Sequence, residues 1–251
     1  MKSPLYLCLT LLGALFFGSL SSSAVQADDS APVLSSMHVV ASPSRGSVLF
    51  EPPTDDRVDN SRGGASRPTA VKCIQDDAYG IPLTALIPQS GVGLTVAPHP
   101  TLLVYVPPTQ ATQAHLTLRD EDQRGLYQSQ IAIPRTGGVL RIELPADSPE
   151  LAMGQTYDWS LALLCQPAQT DIPIVQGQIR RVAPADGELS AQSSLLSKAI
   201  FYGHAGVWHD MLVNLAILRQ SEPGNSTFQA NWAGVLQAEN LGAIANTPLL
   251  N

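Results

Sequence analysis

One alternating stretch, residues 157–165, constrains the fold of this chain more than any other. Its odd-numbered positions share one face of an extended strand and are aromatic, aliphatic or thiol: Tyr157, Trp159, Leu161, Leu163 and Cys165. The even-numbered positions are polar or small as far as Leu164. A period of two with one apolar face predicts a half-buried β-strand that packs on a core, and this strand ends in a cysteine.

The composition favours an all-β body with many short elements. The chain has 251 residues, of which 44% are hydrophobic and 14% are charged, and it contains 20 prolines and 19 glycines. Frequent proline and glycine divide a chain into short strands and turns. The net charge is −7 and no block of Lys or Arg occurs, which excludes the electrostatic pattern of a nucleic-acid-binding protein.

The first 27 residues have the pattern of a secretory signal peptide (residues 1–27). Lys2 gives a positive start, residues 5–20 are almost wholly apolar or small, and Val25-Gln26-Ala27 fits the small-x-small cleavage pattern. The alternative is an uncleaved membrane anchor, for which the apolar run is short. No later segment reaches the roughly 20 apolar residues of a membrane span. The sequence therefore predicts an exported protein, periplasmic or extracellular, with no membrane span after cleavage.

Export decides how the cysteines are interpreted. Cys8 lies in the signal peptide, which leaves Cys73 and Cys165 in the mature chain. Two cysteines in an oxidising compartment most simply form one disulfide, and the alternative is two separately buried thiols. We predict a Cys73–Cys165 disulfide.

Residues 69–183 are predicted to form the folded β body. Turn signals occur about every ten residues and separate seven to eight short strands, which is typical of an antiparallel, Ig-like β-sandwich. The clearest hairpin joins residues 115–118 to residues 126–133 through a charged loop. Residues 101–106 are continuously apolar, which predicts a central strand or one covered on both faces.

The residues before this body are predicted to be a disordered linker, residues 28–68. They carry turn residues and mixed charge, with a flexible glycine-rich stretch at residues 62–68. Such a segment buries too little apolar area to offset the entropy of ordering it. The stretch Val48-Leu49-Phe50 is a candidate for one brief strand.

Beyond residue 188 the apolar period becomes that of a helix. Apolar positions repeat at intervals of four, four and three: Val207, Met211, Leu215 and Leu218. Pro223-Gly224 ends this helix, and Ser226 with Gln229 has the spacing of a capping box that opens the next. Helices this short are not stable alone. Residues 188–251 are therefore predicted to be a small C-terminal helical segment packed on the sandwich, which makes the fold class α+β.

Several motifs follow one another in an order that carries a family resemblance. They are Cys73, residues 93–101 with Tyr105-Val106-Pro107, residues 116–121, Tyr157-Asp158-Trp159 with Cys165, residues 177–181, residues 206–210, residues 215–219 and Trp232. Over about residues 62–250 the chain resembles DUF928, a family of uncharacterised exported proteins found mostly in cyanobacteria. The resemblance implies this architecture and no known enzyme activity. Members often have aromatics at Leu102 and Leu103 and Tyr at His209, so a ligand shared by the family is not implied.

No stretch carries a catalytic signature, so no catalytic, metal or cofactor-binding residue is predicted. The nearest cluster is His204, His209 and Asp210. A helical zinc pair needs ligands at i and i+4, whereas these two histidines are five apart, about 140° around a helix. Neither a nucleophile elbow nor a phosphate-binding loop occurs. A candidate binding surface instead combines His99, which lies between two prolines, with Trp208, His209 and Asp210.

Two classes of function remain. The first is an exported non-catalytic interaction or adaptor module of the cell envelope, whose partner is an envelope protein or a wall polymer. The alternative is an envelope hydrolase with a site near His204, His209 and Asp210. The acidic net charge argues against nucleic acid and anionic lipid as partners. The sequence gives no oligomeric state.

Overall fold

The computed structural model describes residues 46–53, 73–74, 80–165, 172–184 and 193–250. The predicted signal peptide and most of the predicted linker lie outside these residues. Within them the chain forms eight strands, three α-helices and one short 3-10 helix.

The alternating stretch forms β7 (Thr156–Leu163), the middle strand of a five-stranded sheet. It pairs antiparallel with β4 (Gln113–Arg119) on one side and with β8 (Ile174–Arg181) on the other. Beyond them lie β5 (Gly125–Ala132), next to β4, and β2 (Val92–Thr95), next to β8. The predicted hairpin is confirmed, because β4 and β5 are joined by a short loop and pair antiparallel.

The second sheet has three strands. They are β1 (Thr84–Ala85), β3 (Thr101–Val106) and β6 (Gly138–Glu143), with β3 in the middle. Both pairs in this sheet are antiparallel.

β3 contributes to two separate hydrophobic cores, because successive side chains of a strand point to opposite faces. Leu102, Val104 and Val106 belong to the core that the two sheets share. Leu103 and Tyr105 belong to a second core on the outer face of the three-stranded sheet. The prediction that this apolar run is covered on both faces is confirmed, since all five side chains are buried.

The C-terminal residues form helices that cover this outer face. Their bounds are Leu195–His204 (α1), Trp208–Ser221 (α2), Ser226–Ala238 (α3) and Gly242–Ile244 (the 3-10 helix). Trp208, Leu215 and Trp232 lie in the second core with Leu103 and Tyr105. α2 packs against both β2 and β3. Across the described ranges, no helix has the length and apolar character that a membrane crossing requires.

β2 corrects the prediction of a wholly antiparallel body. It pairs with β8 in parallel, with Val92 opposite Gln178 and Thr95 opposite Arg181. Five strands, β3 to β7, separate these two partners along the chain, so no hairpin fixes their relative direction. All four residues of β2 are buried, as expected for a parallel strand covered on both faces.

The start of α3 corrects a second local prediction. The side chain of Asn225, not that of Ser226, caps the helix: its oxygen accepts from the backbone N–H groups of Thr227 at 3.0 Å and Phe228 at 3.4 Å. Asparagine is at least as good an N-cap as serine, so the capping residue lies one position earlier than the capping-box spacing indicated.

The Cys73–Cys165 disulfide is confirmed, and its Cα atoms are 5.7 Å apart. Both residues are buried in the core between the sheets. Cys165 lies two residues beyond β7, and the Cys73 carbonyl accepts from Thr109 Oγ1 at 2.7 Å and from Gln110 N–H at 2.8 Å. The bond therefore ties residues 73–74 to the end of the central strand.

Candidate functional site

Three of the residues that the sequence singled out, Trp208, His209 and Asp210, lie where α2 begins. Gly206 turns the chain between α1 and α2 with φ +70°, a conformation that favours glycine. Trp208, the first residue of α2, is fully buried, and its indole N–H donates to the Leu86 carbonyl at 2.8 Å. Trp208 is therefore a core residue and not part of a surface.

His209 is a buried, neutral imidazole. It is 3% exposed, and its ring lies so close to Gly93 that an added Cβ there would be 2.3 Å from Nε2. Burial lowers the pKa of His209 to about 4, against the opposing effect of a backbone hydrogen bond with Thr101. Nε2 finds no hydrogen-bond partner in the described part of the chain. The ring therefore serves as a packing group at neutral pH.

Asp210 fastens the start of α2 to the end of β2. Its Oδ2 accepts from Thr95 Oγ1 at 2.8 Å and from Val96 N–H at 3.1 Å. Burial raises the pKa of this carboxyl, and the hydrogen bonds from Thr95 and Val96 lower it. A carboxylate in the first turn is also favoured by the helix dipole. Two of the family motifs, residues 93–101 and residues 206–210, meet through this contact.

The two other histidines that the sequence singled out lie in different settings. His99 is half-buried in the turn between β2 and β3, and its Nε2 is 3.0 Å from the Ser148 carbonyl oxygen. His204, the last residue of α1, is exposed, and its Nδ1 lies 2.8 Å from Glu51 Oε1.

These positions correct the predicted binding surface. Trp208 and His209 are buried because they pack on Leu86 and Gly93, so they present no surface to a partner. Among the described residues, His204, His209 and Asp210 have different hydrogen-bond partners: Glu51 for His204, the Thr101 backbone for His209, and Thr95 with Val96 for Asp210. The part of the chain that the structure describes includes no group of three or more His, Cys, Asp or Glu that could hold a metal ion.

His209 should make the protein less stable in acid. Between its folded pKa of about 4 and the ordinary value of 6.5, the unfolded chain binds a proton that the folded chain does not, so stability falls as the pH falls through this window. The full loss is about 3 kcal/mol, at about 1.4 kcal/mol for each pH unit. Urea unfolding of the natural chain and of His209→Phe, each at about pH 7 and about pH 4, measures it. Equal acid losses in the two proteins would contradict this role.

Part of the predicted linker packs against the helices that cover the three-stranded sheet. Residues 46–53, here named the strap, pack against the helices. The side chain of Asn231 in α3 accepts from Val48 N–H at 2.8 Å and donates to the Gly46 carbonyl at 3.1 Å. Gly46 C=O and Val48 N–H therefore point to the same side, as they do in a strand-like backbone.

Two glycines allow the strap to come close to the end of α1. The Glu51 N–H donates to the Gly203 carbonyl at 3.0 Å. A Cβ added at Gly203 would lie 2.2 Å from the Leu49 carbonyl oxygen, and one added at Gly206 would lie 2.9 Å from the Glu51 carbonyl oxygen. Any side chain at Gly203 would therefore collide with the strap backbone.

The strap side chains alternate between the protein and solvent. Val48 is 4% exposed in the second core, whereas Leu49 is 43% exposed. The Phe50 ring contacts the Trp208 ring edge-on, with 4.8 Å between centroids. Glu51 Oε1 lies within hydrogen-bond distance of His204 Nδ1.

We name the residues that receive the strap the helical groove: Gly203, His204, Gly206, Trp208 and Asn231. The linker prediction is wrong for residues 46–53. The apolar triplet Val48-Leu49-Phe50 was the one sequence signal for this segment, and no strand is assigned there. Its partners lie more than 150 positions away, so no local pattern could indicate them.

Gly203→Ala should dislodge the strap and lower stability by about 1–3 kcal/mol, because the new Cβ would meet the Leu49 carbonyl. Gly234→Ala is the matched control. Gly234 lies inside α3 with nothing within 4 Å of an added Cβ, so alanine there should stabilise by about 1 kcal/mol. Limited chymotrypsin cleavage at Phe50, followed together with thermal unfolding, measures both. Equal resistance of the two variants to cleavage would refute the close approach.

The chain is similar to one protein family over most of its length and only weakly to solved structures. A family model described as a Domain of Unknown Function (DUF928) matches residues 62–249. No curated protein matches the chain. The solution structure of the fn3 domain of human collagen alpha-1(XX) chain has a TM-score of 0.25 at 14% identity, covering 39% of this chain and 83% of that one. A β-D-glucuronidase from Dictyoglomus thermophilum has a TM-score of 0.18 at 19% identity, covering 32% of this chain and 13% of the enzyme.

These two structural likenesses are too weak to carry an argument. The family match is different, because it spans most of the chain and contains every residue of the helical groove. The strap precedes the matched residues. The chain belongs to the DUF928 family.

Proposed function

We propose that this protein is an exported, non-catalytic interaction module of the cell envelope that holds an extended peptide segment in the helical groove. The observation that supports this most directly is the strap. It is a segment of the chain's own N-terminal region, held in the groove by hydrogen bonds to its backbone and by two apolar side chains. The strap occupies the groove as a peptide ligand would.

The backbone contacts support a groove that accepts extended chains in general. Asn231 presents one acceptor and one donor, the pair that a neighbouring β-strand would present. The Gly203 carbonyl adds a further acceptor, and the missing Cβ of Gly203 leaves room for the bound backbone. Main-chain hydrogen bonds of this kind provide affinity in peptide recognition, whereas side-chain contacts provide selectivity.

The side-chain contacts define the chemistry of a fitting partner. The groove buries Val48, places Phe50 on the ring of Trp208, and pairs Glu51 with His204. A partner segment would therefore carry apolar residues two positions apart, the second aromatic, followed directly by an acidic residue. A sugar polymer offers neither this alternation nor a row of peptide N–H groups. Of the two partner classes expected from the sequence, an envelope protein is favoured.

The extent of the family match supports the same view. The groove lies within residues 62–249, and the strap lies before them. If the strap stands in for a partner, we expect the groove to belong to the family domain and the segment that fills it to lie outside that domain. An arrangement needed only for folding would more simply place both parts inside the matched residues.

No observation favours the alternative, an envelope hydrolase. The imidazole of His209 is buried and neutral, Asp210 is hydrogen-bonded to Thr95 and Val96, and His204 is paired with Glu51. Each group of the predicted cluster is already engaged in a structural contact.

Export and the Ig-like sandwich are part of this proposal. A disulfide is the bond expected in an oxidising compartment, and two sheets with a shared core are the layers expected of a sandwich. In this view the sheets are a rigid support on which the helices form the groove.

A labelled peptide tests the proposal. The peptide reproduces residues 46–53, and the chain carries Val48→Asp and Phe50→Ala, which weaken its own strap and open the groove. We expect saturable binding by fluorescence anisotropy, and much weaker binding to the natural chain, because a tethered strap competes at an effective concentration in the millimolar range. Adding Asn231→Ala should abolish binding, since both backbone hydrogen bonds to α3 are lost.

Two controls make this experiment specific. A scrambled peptide of the same composition keeps the charge and hydrophobicity but loses the alternation. Asn231→Asp keeps the acceptor for Val48 N–H and loses the donor to Gly46, so its binding should be intermediate. Equal binding of the scrambled peptide, or binding that is indifferent to Asn231→Ala, would rule out the groove as a peptide site.

A further inference from the structure

In the described part of the chain, the outer edge of the five-stranded sheet has few of the features that normally keep edge strands from pairing. Its one β-bulge lies at the start of the strand, where the register with β4 shifts next to Arg119. β5 (Gly125–Ala132) is this edge, with β4 as its neighbour. Between Gly125 and Ala132 it carries no charged residue and no proline. Natural edge strands are usually short or protected by lysine or proline. An eight-residue uncharged edge is a template for another strand.

The direction of the free hydrogen-bonding groups on β5 follows from its pairing with β4. Ile133 N–H donates to the Thr112 carbonyl, directly after the paired positions Gln113 and Ala132. Hydrogen-bonding direction alternates along an antiparallel strand, so Tyr127, Ser129 and Ile131 bond to β4. The alternation is interrupted only before Tyr127, where the register shifts and Leu126 has no opposite residue on β4. The backbone groups that point to the open edge belong to four even-numbered residues: Leu126, Gln128, Gln130 and Ala132.

These four residues are symmetric about Ser129. If a second β5 runs antiparallel with Ser129 opposite Ser129, then Gln128 meets Gln130 and Leu126 meets Ala132, each in a hydrogen-bonded pair. In this register every outward group of the strand finds a partner. A shift by two residues leaves one outward residue at each end of the strand without a partner inside it.

The side chains suit the same register. Tyr127 would face Ile131 of the second copy, an aromatic–β-branched pair of the stabilising kind, on the side that packs on the core. Gln128 and Gln130 are exposed on the other side, where their amides can bond across the strands.

The ends of the strand are complementary in charge. Antiparallel pairing brings the exposed Arg135, beyond the end of β5, next to the turn before β5 in the second copy. That turn exposes Glu121 and Asp122, whereas Asp120 is buried. Arg124 pairs with Asp120 and Asp122, and Glu121 Oε1 accepts from Thr156 N–H.

We propose that the protein forms a symmetric dimer through the β5 edges, antiparallel and centred on Ser129, which joins two five-stranded sheets into one of ten. The occupant of the edge is a second copy of this chain. The dimer does not depend on the helical groove, so either proposal can fail without the other.

Sedimentation velocity of the mature chain (residues 28–251), from micromolar to its highest soluble concentration, tests the dimer. We expect a reversible monomer–dimer equilibrium that Gln128→Lys with Gln130→Lys weakens at least about tenfold, because like charges would lie directly opposite each other. The control is Gln176→Lys with Gln237→Lys, two exposed glutamines outside the edge, which should leave the equilibrium unchanged. A monomer at every concentration, or equal effects of the two variants, would overturn the proposal.

Ser129→Cys keeps the proposal testable if the lysine variant does not fold. The register places the two cysteines in a non-hydrogen-bonded pair, whose Cβ atoms lie about 4.5–5.5 Å apart and can form a disulfide. Mild oxidation should therefore give a covalent dimer on a non-reducing gel, whereas Gln176→Cys should remain monomeric. Failure of Ser129→Cys to cross-link, or equal cross-linking of both variants, would also overturn the proposal.

Discussion

Replacing Cys73 and Cys165 with serine is expected to lower the free energy of unfolding by up to about 4.5 kcal/mol. The two residues are 92 positions apart, so the bond closes a long loop and removes much conformational entropy from the unfolded chain. The bond also holds residues 73–74 against Thr109 and Gln110, next to the end of the central strand. A loss of this size is a large part of the stability of a typical domain.

Urea unfolding with and without reductant separates the bond from the side chains. The natural chain should lose stability on reduction, whereas Cys73→Ser with Cys165→Ser should be unaffected by reductant. The reduced natural chain and the serine variant should then unfold at similar urea concentrations. An unfolding midpoint of the natural chain that reductant leaves unchanged would contradict a stabilising disulfide.

Trp208→Ala is expected to destabilise the protein by about 3–5 kcal/mol. Trp208 is fully buried where the strap, α2 and the segment after β1 meet. Its ring contacts Phe50, and its N–H satisfies the Leu86 carbonyl. Alanine would leave a cavity and an unpaired buried carbonyl, and both effects are destabilising.

Trp208→Phe separates the two contributions. Phenylalanine keeps most of the ring contact with Phe50 and loses the hydrogen bond to Leu86, so the expected loss is about 1–3 kcal/mol. Chemical unfolding of both variants measures the difference. A loss below about 1 kcal/mol for Trp208→Ala would contradict the placement of this ring in the second core.

Local sequence patterns predicted those parts of the fold in which a residue's burial follows from its own position along a strand or helix. The alternation of residues 157–165 predicts the central strand, and its odd-numbered side chains from Tyr157 to Leu163 are all buried. The apolar run at residues 101–106 gave a strand covered on both faces. In each case the side-chain period alone specifies which face is buried.

The same patterns could not indicate partners that are distant along the chain. The parallel pairing of β2 with β8 depends on how the five intervening strands are arranged. The side-chain period of β2 does not indicate which strand it pairs with. The strap was missed for a related reason. Asn231 and Gly203 hold its backbone, and backbone contacts leave no pattern in the strap sequence beyond Val48 and Phe50.

The candidate site changed most between sequence and structure. The sequence singles out His209 and Asp210 because histidine and aspartate often act as catalytic groups or metal ligands. The structure shows that His209 is a packing residue, because its ring is in tight contact with Gly93. Asp210 instead joins α2 to Thr95 and Val96. His204 alone of the predicted cluster contributes to the helical groove, through Glu51, a residue assigned to the linker.

Amide hydrogen exchange at Val48 and Glu51 tests the helical groove most directly. In the folded chain these N–H groups donate to Asn231 Oδ1 and to the Gly203 carbonyl. Both should exchange at least about a hundredfold more slowly than in the free peptide of residues 46–53, and Asn231→Ala should remove the protection of Val48. Exchange of both amides at the rate of the free peptide would contradict a strap held in the groove.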